Sequence, residues 1–475
     1  FHAYEVGSVI ICMILALLMK RKCAWFPSAA FFLLGGYVLQ GFKRYKLFHQ
    51  YNQADQDSYS SYISIINLLL HPLEMFHYGF SLNFPVFIKN VKPISLFSAL
   101  TWLVFMFLFS FLYSNVTSML GLKTFSTWNL FAFAAAMSSC DANFVFPYLR
   151  ETMGESHIVA VLEGETVLSE VFSILAFRTI IEMQINTVDG LLLIEGFWSF
   201  LRFLVVSVCI GVVMGVLASL LIKYIHNRES EVNYPVVALF FIIPIISYMI
   251  AEGLHVSASI TIRICGFILS YYTQYSLSTI TREYTTHLVE VIGTLAEHLS
   301  YFIVGIISYI VQPFDMDYRL LLVCVVVMFI CRYASVTGVL ASVIRYVEPT
   351  KRFLDHNYVN VLYLLYRGSV SFLITARADG EFVDNSQVLM MMKMSLSLVW
   401  ISIIQHILYT APMLHRSQKE QEETNEIEVK PIEDYSLQRN NSTAEIIKDW
   451  IYSFMVRSPT ETTSMESLLH GNKSF

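Results

Sequence analysis

Apolar residues in this chain neither alternate with polar ones nor keep to a single helical stripe. They run on for roughly 16–25 positions at a time, long enough for a helix to cross a lipid bilayer. About 13 such segments follow one another. They centre on Gly7–Leu18, Phe26–Gly41, Tyr62–Leu82, Leu96–Leu112, Trp128–Tyr148, His157–Ile181 and Phe200–Ile225. The second group centres on Pro235–Leu254, Ser257–Tyr272, His287–Val311, Leu320–Ile344, Val359–Thr375 and Val388–Ala411. Several segments are short or interrupted by polar residues, notably the fifth around Asp141 and the twelfth around Arg367. If the seventh segment is a linker, these two hold matching places in two six-segment halves. The pattern therefore predicts an all-α polytopic membrane protein built as two inverted six-helix repeats with crossed broken helices.

Beyond the last segment the material changes. Residues 1–412 read as a transmembrane domain, and residues 413–475, rich in Glu, Lys, Gln, Asn and Ser, as a disordered tail. Within it, NSTAEIIKDWIYSFM gathers Ile446, Ile447, Trp450, Ile451, Phe454 and Met455 on one face, with Ser442 or Thr443 as a cap. That predicts a short amphipathic helix near 442–456 lying on the membrane or under the transport domain. Lysine and arginine in the short connections favour the tail's side of the membrane by about two to one, which places the tail in the cytosol. The expected location is a plasma or organelle membrane. The chain opens at Phe1 without a methionine, which reads as something upstream missing or removed.

Composition sharpens this. Of 475 residues 55% are hydrophobic and 14% charged, with a mean hydropathy of +0.56. A soluble domain carries nearer a quarter charged residues. The net charge of −6, with no concentration of basic residues, excludes a nucleic-acid surface. Seven cysteines fall mostly inside apolar runs without CxxC spacing, as core hydrophobes rather than a disulfide or zinc framework.

The candidate chemistry lies between Ser138 and Glu170, in SSCDANFVFPYLRETMGESHIVAVLEGETVLSE. Asp141, Glu163, Glu165 and Glu170 sit here among apolar residues. A carboxylate at membrane depth costs about 2.5–3.5 kcal/mol even on insertion scales, so it faces a bundle interior or an ion path. Thr166 and Glu170 lie four apart on one helical face, as do Glu165 and Ser169, and Glu163 is seven before Glu170. A hard cation needs several oxygen ligands, and a titratable carboxylate lets a proton compete for the same place. We therefore expect Glu170, Asp141, Ser169 and Thr166 to bind the ion, with Glu170 and Asp141 as its carboxylate ligands. The bland alternative, a buried ion pair that ties helices together, suits Glu165 better, because the core also holds Arg332 and Arg367.

Read together, MSSCDAN…LEGETVLSEV resembles the sodium/proton exchangers of the cation/proton antiporter superfamily. There an Asp-Pro on one broken helix precedes a Gly-Glu-Ser-Leu-Leu-Asn-Asp helix. The likeness covers most of the membrane part. FPSAAFFLLGGYVLQG looks like the family's early Pro-Glu…Gly…Gly helix and HPLEMFHYGFSL like its Phe-Glu-Ser-Gly-Tyr-Ser-Leu segment. YMIAEGLHVSASI, AEHLSYFIVG, ICRYAS and YRGSVSF match four later helices in the right order. The resemblance implies that Arg332 pairs with Glu165, that Arg367 lies on the second broken helix, and that Glu252 and Glu297, with Glu163, are further buried acids. The chain departs from the pattern where Ser169-Glu170 replaces Asn-Asp, where Ala142 replaces the Pro, and where His77 replaces an acid, with Glu74 three residues earlier.

The expectation is a secondary active transporter. It would exchange a monovalent cation, sodium foremost, for protons, electroneutrally and by alternating access, as a homodimer in the lipid bilayer without cofactors. The alternative is a non-transporting, antiporter-like scaffold or subunit, which the altered Asn-Asp pair would suit. An enzyme is disfavoured, since the spans carry no GxSxG turn and no His-Glu-x-x-His.

Overall fold

The computed structural model describes residues 3–22, 27–46, 54–82, 87, 91–122, 125–140, 157–185, 192–225, 234–346, 367–376, 385–410 and 412. Among them the secondary structure is entirely helical. The order is α1 (Ala3–Lys22), α2 (Ser28–Lys46), α3 (Ala54–Ile65), a π turn (Ile66–Leu70), α4 (His71–Ser81), α5 (Val91–Met119), α6 (Thr127–Met137) and α7 (His157–Ile185). Then come α8 (Leu192–Ile225), α9 (Tyr234–Gly253), α10 (Ala258–Ser276), α11 (Thr279–Val311), α12 (Tyr318–Tyr346), α13 (Ser369–Ala376) and α14 (Asn385–Gln405), which ends in a second π turn (His406–Thr410).

By length and composition, α5, α8, α9, α11, α12 and α14 each contain a stretch able to cross a membrane. On α5 and α8 the exposed face is rich in large apolar side chains. On α5, Phe97, Phe105 and Phe109 are buried while Leu96, Phe107 and Phe111 face outwards; on α8, Phe197, Trp198, Val213 and Leu217 do the same. In water such faces would be a large aggregation-prone patch, whereas in lipid they are the expected surface.

Contacts divide the chain into two units. The first comprises residues 1–71, 85–204 and 295–428, the second 72–84, 205–294 and 429–475. In the first, α5 packs along α12 and α7, α7 along α6, α1 on α2, and α13 on α14. Stacked rings at every fourth position of α5, Phe105 on Phe109 at 5.9 Å and Phe109 on Tyr113 at 5.3 Å, stiffen its buried face. The helices α2 and α11 touch backbone to backbone. A methyl group at Gly36 would collide with the Phe302 carbonyl, and one at Gly305 with that of Leu33. Beside this crossing Ser28 Oγ bonds His298 Nε2 at 2.6 Å and the imidazole stacks on Phe32.

In the second unit α9 packs on α10, and Ser207 of α8 joins α10 by accepting from Ser257 N–H at 3.0 Å and Thr261 Oγ1 at 3.1 Å. There too the buried Arg263 points Nε and Nη2 at Met75 Sδ, 3.0 and 2.8 Å away.

Three segments differ from the hydropathy reading. The span centred on His287–Val311 begins at Thr279, because Ser278 Oγ accepts from Thr281 N–H at 3.4 Å and caps a polar first turn that apolarity does not reveal. The fifth segment stops being helical at Met137, ahead of Asp141, where the Ser138 hydroxyl turns back to donate to Ala135 O at 2.7 Å. The twelfth is helical from Ser369, after non-helical Arg367 and Gly368. Asp141, Ala142 and the tail with its expected amphipathic helix near 442–456 lie outside the described residues.

Candidate ion-binding site

The acidic stretch 163–170 lies well inside α7, whose buried face alternates small hydroxyls with carboxylates. Thr166 Oγ1 donates to Leu162 O at 2.9 Å and Ser169 Oγ to Thr166 O at 3.4 Å, so both hydroxyl hydrogens are spent on the helix itself. Their oxygens keep lone pairs. Those of Ser169 are used in part, because the Cys140 N–H donates to Ser169 Oγ at 3.0 Å. One turn on, Ser173 accepts from Trp102 Nε1 at 3.1 Å and lies 3.4 Å from Ser138 Oγ. Ser139 Oγ in turn meets Ser371 Oγ in the first turn of α13 at 3.2 Å. Three consecutive residues after α6 are thus held by three different side chains, two from α7 and one from α13.

Glu165 leaves this ladder for another partner. Arg332 Nη1 donates to Glu165 Oε1 at 2.6 Å and Nη2 to Oε2 at 3.1 Å, a two-pronged pair with Glu165 1% and Arg332 2% exposed. The same Nη2 reaches Cys140 Sγ at 3.9 Å. A charge this deep persists because its opposite is in contact and bonded at both prongs. Of the other acids of α7, Glu170 and Glu163 are buried, 1% and 8% exposed, while Glu182 near its end meets Arg202 at 3.4 Å.

The second break is built differently. Arg367 donates its backbone N–H to Ser402 Oγ at 2.9 Å, and its guanidinium, with the residue 2% exposed, sits 5.5 Å above the Phe105 ring. At the far end of α13, Thr375 Oγ1 lies 2.9 Å from Ser395 Oγ.

The structure brings Ser169 to the end of α6, one residue before Asp141, keeps Thr166 bonded to Leu162 within α7, and bonds Glu165 to Arg332. Two acids expected to be buried are not. Glu252 is exposed, one residue before α9 ends at Gly253, where the chain turns and the carboxylate reaches the surface. Glu297 is half-buried beside His298, on a face of α11 that neighbouring helices only partly cover. Among the described residues no three His, Cys, Asp or Glu side chains converge as a metal cage would require. Sequence reasoning missed Ser138, Ser139, Ser173, Ser371 and Ser402 as anchors. Their signal was small hydroxyls in otherwise apolar runs, without any mark of which helix each would meet.

Comparison with known proteins follows the same lines. A family model described as sodium/hydrogen exchanger, transmembrane, matches residues 8–416. Sodium/hydrogen exchanger 3 of Arabidopsis thaliana is 25% identical over 253 residues, 52% of this chain and 49% of that protein. An uncharacterized Na(+)/H(+) antiporter of Schizosaccharomyces pombe is 24% identical over 333 residues, 66% of this chain and 56% of its own length. The chain spans about half the length of the curated relatives it matches. Two structures of the sodium proton antiporter MjNhaP1 from Methanocaldococcus jannaschii superpose with TM-scores of 0.61 and 0.63 at 14% and 13% identity. They cover 85% and 90% of this chain and 97% and 98% of theirs, so the fold is shared. With its long apolar helices, this makes the chain an integral membrane protein.

Proposed function

The chain belongs to the sodium/hydrogen exchanger family, and from that premise we propose that it exchanges a monovalent cation, sodium foremost, for protons across a membrane. The observation that carries the reading is the joint between α7 and the end of α6. Ser169, next to the buried Glu170, holds the N–H of Cys140, and Asp141 is the next residue along the chain.

Each group has a part in this scheme. Glu170 takes either a proton or the cation. The free lone pairs of Thr166 and Ser169 add neutral oxygen ligands, and Asp141 the second carboxylate. Glu165, paired at both oxygens with Arg332, holds α12 against α7 and stays outside the ion's ligand set. One carboxylate that binds one proton or one monovalent cation gives electroneutral exchange. Access alternates between the two sides as the helices bearing the breaks move against the others. The protein works as a homodimer with its C-terminal tail in the cytosol, in a plasma or organelle membrane.

The test is proton movement in proteoliposomes with an internal pH dye, on adding sodium, lithium or potassium in turn. We expect proton efflux driven by at least one cation, unaffected by a voltage clamp and abolished by Glu170→Gln in a protein that still folds. Full activity in that variant would sink the assignment of Glu170. Folded protein inert to all three cations would favour the scaffold reading.

A further inference from the structure

Away from the acidic face of α7, the core gathers soft donors where α12 packs on α5 and touches α14. The Cys324 thiol of α12 donates to Met328 Sδ one turn on, with the sulfurs 3.8 Å apart. From α5 the Tyr113 hydroxyl donates to Met394 Sδ of α14 at 3.9 Å, and it lies within electrostatic reach of Cys324. Cys324, Met328, Tyr113 and Met394 are each 0% exposed. None of them has a part in the scheme above.

Buried sulfur often serves only to fill gaps in a core. Here the spacing says more. A metal–sulfur bond is about 2.3 Å long, so three sulfurs around one ion stand about 4 Å apart. Cys324 and Met328 already have that separation. The flexible Met394 thioether completes the set by turning from the Tyr113 hydroxyl to the ion.

Donor type and charge select that ion. One thiolate with two thioethers is a soft ligand set, suited to Cu+ rather than to Mg2+, Ca2+ or Mn2+. The ion takes the place of the thiol hydrogen: the Cys324 S–H bond breaks, a sulfur–metal bond forms, and the proton leaves to solvent. One positive charge replaces another, so a monovalent ion adds no net charge to the buried site. A divalent ion adds one, which is costly at this depth and near Arg367, itself within electrostatic reach of Cys324. Cys331 does not cancel that charge, because seven residues along α12 amount to about 10 Å of rise.

We infer that Cys324, Met328 and Met394 form a binding site for a soft monovalent cation of the Cu+ class, separate from the residues that handle sodium and protons. The site stands or falls independently of the exchange reading.

The experiment loads the full chain in detergent with Cu+ under argon, challenges it with a chromogenic Cu+ chelator, and reads the copper left per folded chain. The wild type is expected to hold a copper that Cys324→Ala loses. Met328→Leu and Met394→Leu nearly conserve core volume. Each should weaken that copper by at least about tenfold, the smaller end of what even an outer partner of a metal site is worth. Cys331→Ala should hold it as the wild type does, and Zn2+ retention should be the same with and without Cys324. Equal copper retention by the wild type, Met328→Leu and Met394→Leu would overturn the proposal, even if Cys324→Ala does not fold. So would a wild type that holds no copper, or one that holds Zn2+ as firmly through Cys324. Sodium-driven exchange is read separately in proteoliposomes, and its absence bears on the parent reading alone.

Discussion

Ser169 accepts the backbone N–H of Cys140 at 3.0 Å, so a hydroxyl beside Glu170 grips the backbone at the end of the broken span. The grip is neutral, short and buried on both sides, with Ser169 2% and Cys140 0% exposed.

Ser169→Ala removes it and leaves a buried N–H unbonded, at about 1–3 kcal/mol. The expected outcome is a rise in apparent KM for the cation of about tenfold or more, the kinetic equivalent of that loss, with the protein still folded. Exchange kinetics in proteoliposomes beside a melting curve in detergent separate the two effects. Unchanged KM with a normal melt would show that the joint does not position the site.

Glu165 and Arg332 should behave as a unit. Arg332→Gln leaves a buried carboxylate without its counter-charge, an expected cost of about 3–5 kcal/mol. Adding Glu165→Gln removes that charge too, so the double variant should recover much of the stability. Thermal melting of the singles and the double forms a cycle; additive losses would refute the coupling.

Gly36→Val is expected to push α2 away from α11, since any side chain there meets the Phe302 carbonyl. Overpacking of this sort typically costs about 1–3 kcal/mol. A lower melting temperature is the readout, with Gly338→Val on α12, where nothing lies within 4 Å of an added Cβ, as the control that should melt near wild type.

Gln387 Oε1 accepts from Ser126 N–H at 2.9 Å and from Asn129 Nδ2 at 2.7 Å, closing the start of α6 from α14. Gln387→Leu should loosen that helix end by about 1 kcal/mol, the usual worth of a lost cap. Hydrogen exchange of the α6 amides should speed up first in its opening turn; uniform protection along α6 would count against the role.

Much of the helical order was legible because lipid-facing helices are apolar on every side, which hydropathy reads directly. What it could not read is local and polar. The first turns of α11 are rich in Thr, Arg and Glu, and a serine cap, not apolarity, starts them. The exposure of Glu252 depends on where α9 stops, a matter of one residue. At the site, the types and spacings of Thr166, Ser169 and Glu170 were plain within one helix. That Ser169 meets Cys140, and Ser139 meets Ser371, are contacts over 29 and 232 positions, and spacing within a helix says nothing of which backbone arrives from elsewhere. The Glu165–Arg332 pairing came from resemblance, not from spacing.

Apart from the long Arg332 Nη2 contact to Cys140 Sγ, the links described at the end of α6 are uncharged hydroxyls and an amide. Such bonds can be let go and remade with a different neighbour without dragging any net charge through hydrocarbon, so each is a cheap detent. The costly, charged fastening was placed elsewhere, on Glu165 and Arg332. A chain assembled this way has a firm frame and a soft catch, and wear on the catch should alter how fast it cycles well before it alters whether the frame stands.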